Sequence, residues 1–233
     1  MRLDFALSNA GEGSRREIRD MITRGKVSVN GKEVRDVAFP VAETDTVYLC
    51  GKKVDIRRYV YLMMNKPTGY VCTTDSNERN VFELVPENLY RKGLFCVGRL
   101  DKDTTGLLLL TNDGNFAHEI ISPKKMCKKT YRVKLFYPVT DEDVSEFERG
   151  LVLANGEKLL PADIDRTDKA NVVYITVCEG KYHQIKRMFA SRGNKVIDLH
   201  RIRVGKYFLP EDLETGKCRL IETTFMEIIE KKS

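Results

Sequence analysis

The spacing of hydrophobic residues changes repeatedly along this chain, between the period of two that is typical of strands and the period of about 3.6 that is typical of helices. Strand patterns occupy residues 60–64, 107–111, 130–136 and 171–177, and 70–73 is expected to continue the first strand after a turn. Helix patterns occupy 116–121, 140–149 and 183–191. Strands and helices do not alternate regularly, as they do in a doubly wound parallel sheet. The pattern therefore predicts an α+β domain with a large mixed, mainly antiparallel sheet flanked by helices.

Residues 1–56 have the features of a separate small unit with two helices. Apolar residues at 3–7 predict a short first helix, and Ser14 is a suitable N-cap for the second. Ile18, Met21 and Ile22 fall at positions i, i+3 and i+4, which gives the second helix one apolar stripe.

Short strands are expected after the second helix. Residues 27–29 alternate, Asn30-Gly31 is a strong hairpin signal, Val34 begins the return strand, and residues 46–49 complete a small sheet. The sequence therefore predicts two helices packed on a few short strands.

A polar stretch follows this unit and is bracketed by Lys52-Lys53 and Arg57-Arg58. We interpret it as the linker. We place the small domain at 1–56, the linker at 57–60 and the large domain at 61–233.

Composition excludes several classes of protein. The longest apolar runs, such as 107–110, are far shorter than the roughly 20 residues of a membrane-spanning helix. The six cysteines form no C-x-x-C pair and the three histidines are dispersed, so we expect no metal site. Since no apolar signal segment follows Met1, we expect a cytoplasmic protein that makes no membrane contact, and we expect a monomer.

The net charge of +6 hides strongly basic segments. Residues 124–134 hold six basic residues and no acid, and residues 181–206 hold eight basic residues and one acid, Asp198. The rest of the chain is therefore acidic on balance. Positive charge concentrated in this way suits phosphate binding, and Tyr131 is available to stack on a base.

Basic residues also gather at the second helix and the turn after it: Arg15, Arg16, Arg19, Arg24 and Lys26. Their spacing fits a solvated helix face as well as a nucleic-acid-binding surface.

The segment 98–106 is the strongest candidate for chemistry. It is a polar loop between two apolar runs, and it contains Asp101 and Asp103 between two glycines. A carboxylate anchored in this way suits a nucleophile or a base. Two alternatives remain: a turn in which an aspartate caps backbone amides, and the Asp101-x-Asp103-x-Thr105 pattern of Mg-dependent aspartyl phosphotransferases.

Several motifs in order resemble the ribosomal RNA pseudouridine synthases, and more narrowly the branch that modifies small-subunit 16S RNA. They are Gly98-Arg99-Leu100-Asp101, 104–114, Lys129-Thr130-Tyr131, 179–189 and Asn65-Lys66-Pro67. Residues 1–56 resemble the N-terminal S4 RNA-binding domain of that family. The similarity covers nearly the whole chain.

The resemblance implies a role for particular residues. Asp101 is the catalytic aspartate, Tyr131 packs against the target base and Ile185 forms an apolar wall. Lys186 pairs with the aspartate, with Arg187 as the alternative for that role. Arg99 helps to extrude the uridine. The RNA-binding residues are expected to be the five basic residues of the second helix and turn, together with Lys128, Lys129, Lys181 and His183.

The implied reaction is the isomerisation of a flipped-out uridine to pseudouridine in ribosomal RNA, of the pseudouridine-516 type in 16S RNA. It needs no cofactor and no metal, because nothing is oxidised and no group is lost. The expected partner is 16S RNA, either free or within a partly assembled small subunit. The alternatives are a non-catalytic RNA-binding or assembly factor and the phosphotransferase.

Overall fold

The computed structural model describes residues 1–73 and 77–221. Its helices are α1 (Leu3–Asn9), α2 (Arg15–Thr23), α3 (Gly114–Ile121), α4 (Asp141–Arg149) and α5 (Gln184–Ser191). Its strands are β1 (Val27–Val29), β2 (Lys32–Glu33), β3 (Val47–Leu49), β4 (Lys52–Val54), β5 (Tyr61–Lys66), β6 (Phe95–Val97), β7 (Thr105–Thr111), β8 (Lys129–Leu135), β9 (Asp163–Arg166), β10 (Val172–Val177), β11 (Val196–Val204), β12 (Tyr207–Phe208) and β13 (Cys218–Leu220). Short 3-10 helices lie at Val81–Leu84, Glu87–Leu89 and Pro123–Lys125.

The small N-terminal unit packs α1 and α2 on a sheet of order β2-β1-β3-β4. A capping box starts α2, because the Ser14 hydroxyl accepts from Glu17 N while the Glu17 carboxylate accepts from Ser14 N. Ile18 and Ile22 then face the core, whereas Met21 is only partly buried at its edge. The predicted helices and hairpin are therefore present.

Two details of this unit differ from prediction. The return strand is Lys32–Glu33 and ends before Val34, because Asn30 and Gly31 both have positive φ and turn the chain within two residues. The polar stretch interpreted as linker contains strand β4, and its Val54 and Ile56 are buried in the core of the small unit. The linker boundaries at 57–60 remain a prediction.

The large unit is built on a nine-stranded sheet within the described residues. Its main path is β13-β5-β7-β11-β8-β10-β9, with β12 beside β11 and β6 beside β7. Only the β7–β11 pair is parallel among the pairings in this part of the chain. The sheet is therefore mixed and mainly antiparallel, which confirms the predicted α+β fold.

Strand β7 is buried on both faces. Leu108 and Leu110 belong to the core cluster that includes Phe189 of α5, whereas Leu107 and Leu109 face Phe116 of α3. This two-sided burial explains why its sequence is an unbroken apolar run instead of an alternating one.

Several predicted boundaries move. Residues 70–73 do not continue β5; Val71 makes a single bridge to Asn80. The last helix starts at Gln184, because His183 has a φ of 46° and cannot belong to it. Strands β9 and β11 were not predicted, because their sequences mix charged and apolar residues. The end of the predicted large domain, 222–233, lies outside the described residues.

Within the described residues, no helix is long and apolar enough to cross a membrane.

The entry of β7 shows how the sheet shapes the loop before it. One edge of β7 pairs with β5, and the other edge pairs with β11 at Thr105 and Gly106 and with β6 from Leu109 to Thr111. At Gly106, which has a φ of 98°, a Cβ atom would lie 2.3 Å from the carbonyl oxygen of Arg201. A glycine is therefore required where β11 approaches.

We expect Gly106→Ala to destabilise the large unit by more than about 2 kcal/mol, because both the positive φ and the backbone contact oppose a Cβ atom. The matched control is Gly156→Ala, at a φ of 82° with open space around it, which is expected to cost about 1 kcal/mol. Urea unfolding measures both. Equal losses in the two variants would contradict the close-approach explanation.

Candidate active site

The loop that carries Asp101 connects β6 to β7. The Thr104 amide donates to the Asp101 carbonyl at 3.1 Å, which closes a tight turn, and the Gly69 amide donates to the Lys102 carbonyl at 2.8 Å. The Leu100 amide points at Cys72 Sγ, 3.4 Å away. The loop is therefore anchored on the segment that follows β5.

Lys66 is the main anchor, and its role was not predicted from the sequence. Its side chain is fully buried, and its Nζ donates to the carbonyls of Asp101, Lys102 and Thr104 at 3.1, 3.3 and 2.9 Å and to that of Pro67 at 3.0 Å. Burial lowers the pKa of Lys66 below its ordinary value. The signal was present in β5, where Leu62, Met64 and Lys66 share the inward face.

A cavity of about 80 Å³ opens beside the loop. It is lined by residues from several elements: Arg99, Leu100, Asp101, Thr104, Tyr131, Val177, Glu179, Gly180, Lys181, His183, Gln184, Ile185, Lys186 and Leu199. Strand β8 supplies Tyr131 and helix α5 supplies Ile185 and Lys186. The cavity thus brings together Asp101, Arg99, Tyr131, Ile185 and Lys186, which the resemblance placed in one site.

Lys186 is the cation beside Asp101. Its Nζ lies 3.1 Å from Asp101 Oδ2 and 2.6 Å from Asp103 Oδ1. Burial lowers the pKa of Lys186, but hydrogen bonds from Nζ to Asp103 and Asp101 outweigh it and raise the pKa above its ordinary value. The same contact with Lys186 lowers the pKa of Asp103. The Lys186 ammonium therefore bridges the two carboxylates.

Arg187 does not enter the cavity. Its guanidinium pairs with the Glu157 carboxylate and donates from Nη1 to the Tyr182 carbonyl at 3.1 Å. Neighbouring residues on a helix point about 100° apart, so only one of Lys186 and Arg187 can face Asp101. The geometry assigns that position to Lys186.

Tyr131 and Ile185 form the apolar part of the cavity wall. Both side chains are buried, and both belong to the core cluster of the large sheet. Because both side chains are packed in this core, the parts of them that line the cavity are held in a fixed position.

Arg201 lies behind Tyr131 and was not predicted as a site residue. Its side chain is 2% exposed, its Nε donates to the Leu107 carbonyl at 2.7 Å, and its guanidinium lies 5.9 Å from the Tyr131 ring centroid. Its Nη1 is 3.5 Å from Tyr131 Oη. Among the described residues, no hydrogen bond reaches Arg201 Nη2. Arg201 therefore contacts both the ring and the hydroxyl of Tyr131.

Thr104 lines the cavity, and its hydroxyl is buried. The residue is 1% exposed, and its Oγ1 has no hydrogen-bond partner in the part of the chain that the structure describes. An unpaired buried hydroxyl is costly to the stability of the fold.

His183 lies at the rim of the cavity, with Nε2 3.6 Å from Asp101 Oδ1. Lys181 also lines the cavity, but its Nζ donates to the Lys158 carbonyl and lies 3.3 Å from Glu179 Oε2. The charge of Lys181 is therefore partly neutralised within the protein.

The other predicted RNA-binding residues lie outside the cavity. Arg15, Arg16, Arg19, Arg24 and Lys26 are all exposed on or just after α2. Lys128 is exposed and lies 3.4 Å from Asp163, whereas Lys129 is half-buried and donates to the Cys127 carbonyl at 3.0 Å. Burial lowers the pKa of Lys129. Lys129 therefore has less access to a phosphate than the sequence suggested.

Within residues 1–73 and 77–221, no group of three His, Cys, Asp or Glu side chains is arranged to hold a metal ion. Asp103 faces Lys186, as a second carboxylate beside the same cation. Of the two carboxylates that pair with Lys186, Asp101 lines the cavity beside the Tyr131 ring, so it is the one placed to act on a bound molecule.

We expect Lys66→Met to loosen the Asp101 loop, because the variant leaves buried carbonyls without a donor at about 1–3 kcal/mol each. Hydrogen exchange at the Thr104 and Gly69 amides should accelerate. The matched control is Lys102→Met, which removes an exposed ammonium that pairs with Glu78 and should leave both amides protected. Unchanged exchange in Lys66→Met would contradict the anchoring role.

Comparisons with known proteins give the family to which each unit of the chain is similar. The family model for RNA pseudouridylate synthase matches residues 60–191, and the model for the S4 domain matches residues 1–47. An uncharacterized RNA pseudouridine synthase of Bacillus subtilis is 44% identical over 94% of both chains. The ribosomal small subunit pseudouridine synthase A of Escherichia coli is 40% identical, over 94% of this chain and 95% of its own.

A solved structure described as a pseudouridylate synthase is 37% identical, covers 98% of each chain and has a TM-score of 0.67. The region that the family model matches, residues 60–191, contains the Asp101 loop, Tyr131 and the whole of α5. The chain therefore belongs to the RNA pseudouridylate synthase family and carries an S4 domain in its N-terminal unit.

Proposed function

We propose that this protein isomerises one uridine of 16S ribosomal RNA to pseudouridine, of the pseudouridine-516 type, with Asp101 as the catalytic residue. The ion pair between Asp101 and Lys186, at 3.1 Å in a cavity walled by Tyr131 and Ile185, carries the proposal. The choice of small-subunit RNA rests on the names of relatives such as the Escherichia coli enzyme, at 40% identity.

The reaction breaks the bond between uracil N1 and ribose C1′, turns the base, and forms a bond from C5 to the same C1′. The C5 hydrogen leaves as a proton and N1 gains one, so atoms and electrons balance without an oxidant. The protein must therefore supply a charged carboxylate, a pocket that retains the detached uracil, and control of orientation.

Asp101 is suited to act at the ribose. Its carboxylate is one-third exposed and faces the cavity, and Lys186 Nζ provides the counter-ion at 3.1 Å. Two routes use the same group: attack of the carboxylate on C1′, or removal of a ribose proton to give a glycal. In both routes the charged form of Asp101 is required.

Tyr131 and Ile185 would hold the uracil ring between an aromatic and an aliphatic side chain. Arg201 fixes the back of Tyr131, so the ring wall does not yield when the uracil turns. Together these contacts retain the base after its bond to C1′ breaks.

Binding of the RNA chain would begin outside the cavity. A uridine must leave its stack at a cost of a few kcal/mol, which phosphate contacts offset. Arg99 lies exposed at the cavity and suits the role of extruding the uridine. The exposed cations of α2 suit the phosphates of a neighbouring RNA segment, whether the RNA is free or in a partly assembled subunit.

We expect Asp101→Asn to abolish isomerisation while RNA binding persists, because the amide removes the charge and keeps the volume. Release of tritium from C5-labelled uridine in a 16S transcript measures the reaction, and filter binding measures the affinity. The matched control is Asp212→Asn, at an exposed aspartate that pairs with Arg219 outside the cavity, which should keep the wild-type rate.

A full rate of tritium release in Asp101→Asn would contradict the catalytic assignment. If the wild-type protein binds RNA but releases no tritium from ribosomal RNA, either free or in a partly assembled small subunit, it is a non-catalytic RNA-binding factor. Phosphate release from an aryl phosphate that is lost in Asp101→Asn would support the phosphotransferase instead.

A further inference from the structure

Tyr182 is a highly exposed aromatic residue between Lys181 and His183, which both line the cavity. It directly precedes His183, and its side chain is 76% exposed. Its ring stacks on the His183 ring, with centroids 3.9 Å apart and planes 15° from parallel. His183 in turn lines the cavity and lies 3.6 Å from Asp101. A flat aromatic surface therefore extends outward from the catalytic cavity.

The turn that displays Tyr182 is held by hydrogen bonds. Gln184 is buried; its Oε1 accepts from the Lys181 amide at 3.0 Å and its Nε2 donates to Glu179 Oε1 at 3.0 Å. The Tyr182 carbonyl accepts from Arg187 Nη1 at 3.1 Å. The ring is thus presented on a fixed turn, so that little conformational entropy is lost when a ligand stacks on it.

Packing does not account for this exposed ring. One face of Tyr182 covers His183, while the residue leaves three-quarters of its surface to solvent. The cation Arg99 is exposed and lines the same opening, whereas Lys181 and Lys186 there are paired with carboxylates. An open π-face beside an exposed cation matches the base and phosphate of a nucleotide.

Base flipping creates a need for such a surface. When the target uridine leaves the stack, a neighbouring base loses its stacking partner, and this loss is part of the cost of flipping. An aromatic ring just outside the cavity that receives the target can replace that partner.

We propose that Tyr182 is a stacking platform for the base of a nucleotide adjacent to the target uridine. The inference rests on the proposed function, because it takes the cavity as the uridine pocket. It assigns to Tyr182 a direct contact with RNA outside the target base. A different role, in which Tyr182 only positions His183, predicts different results in the experiment below.

The experiment compares Tyr182→Ala, Tyr182→Phe and the matched control Tyr137→Ala. The control truncates a tyrosine that is 58% exposed and whose chain neighbours, unlike those of Tyr182, do not line the cavity. Each protein acts on RNA with intact neighbours and on RNA that lacks the base at the 5′ or the 3′ neighbour. Tritium release gives kcat/KM.

The expected loss in Tyr182→Ala is about 5- to 150-fold in kcat/KM, the range that stacking of one base contributes. Tyr182→Phe and Tyr137→Ala should stay near the wild type, because the ring face provides the contact. Removing one neighbouring base should slow the wild type by a similar factor and should not slow Tyr182→Ala further. The proposal would be overturned if Tyr182→Ala lost no activity. It would also be overturned if the loss in Tyr182→Ala and the loss from a missing neighbouring base multiplied for both abasic substrates.

A binding measurement separates this proposal from the proposed function. RNA with 2-aminopurine beside the target uridine should lose fluorescence when the wild type or Tyr182→Phe binds, and should keep it when Tyr182→Ala binds at saturation. This result supports stacking even if no protein releases tritium, in which case the proposed function alone fails. Equal quenching by Tyr182→Ala and the wild type would overturn stacking while isomerisation stands.

Discussion

The buried Lys66 ammonium is the interaction on which the site depends. Transfer of a charge into the interior is unfavourable unless its donors are satisfied, and here the carbonyls of Pro67, Asp101, Lys102 and Thr104 satisfy them. Because these carbonyls come from the segment after β5 and from the loop before β7, the ammonium ties two parts of the chain together. These hydrogen bonds hold the loop that carries Asp101, and the loop in turn positions the Asp101 carboxylate.

The sheet supplies the remaining geometry. Strand β11 pairs with the first residues of β7 at Gly106, and the Arg201 side chain of β11 contacts Tyr131 of β8. Helix α5 follows β10 and directs Lys186 at Asp101. The Asp101 carboxylate, its counter-ion and the aromatic wall thus come from different elements, and their distances depend on how these elements pack on one sheet.

Much of this could be predicted from residues. The strand and helix patterns gave the mixed sheet, and the motif resemblance placed Asp101, Tyr131, Ile185 and Lys186 in one site. The choice between Lys186 and Arg187 could not be made, because it depends on the rotation of α5 relative to the loop. Lys66 could have been found from its inward register in β5, whereas Arg201 lies on a strand whose mixed sequence hid it. Tyr182 carried no periodic signal, because it lies in the turn before α5, next to the left-handed His183.

We propose above that this protein isomerises one uridine of 16S RNA at the Asp101 cavity. Mapping pseudouridines across ribosomal RNA tests it most directly, in cells that lack this protein and in the same cells supplied with the wild type or with Asp101→Asn. We expect that one pseudouridine of 16S RNA disappears without the protein, returns with the wild type and does not return with Asp101→Asn. Identical maps in all these cells, or a site restored by Asp101→Asn, would contradict it.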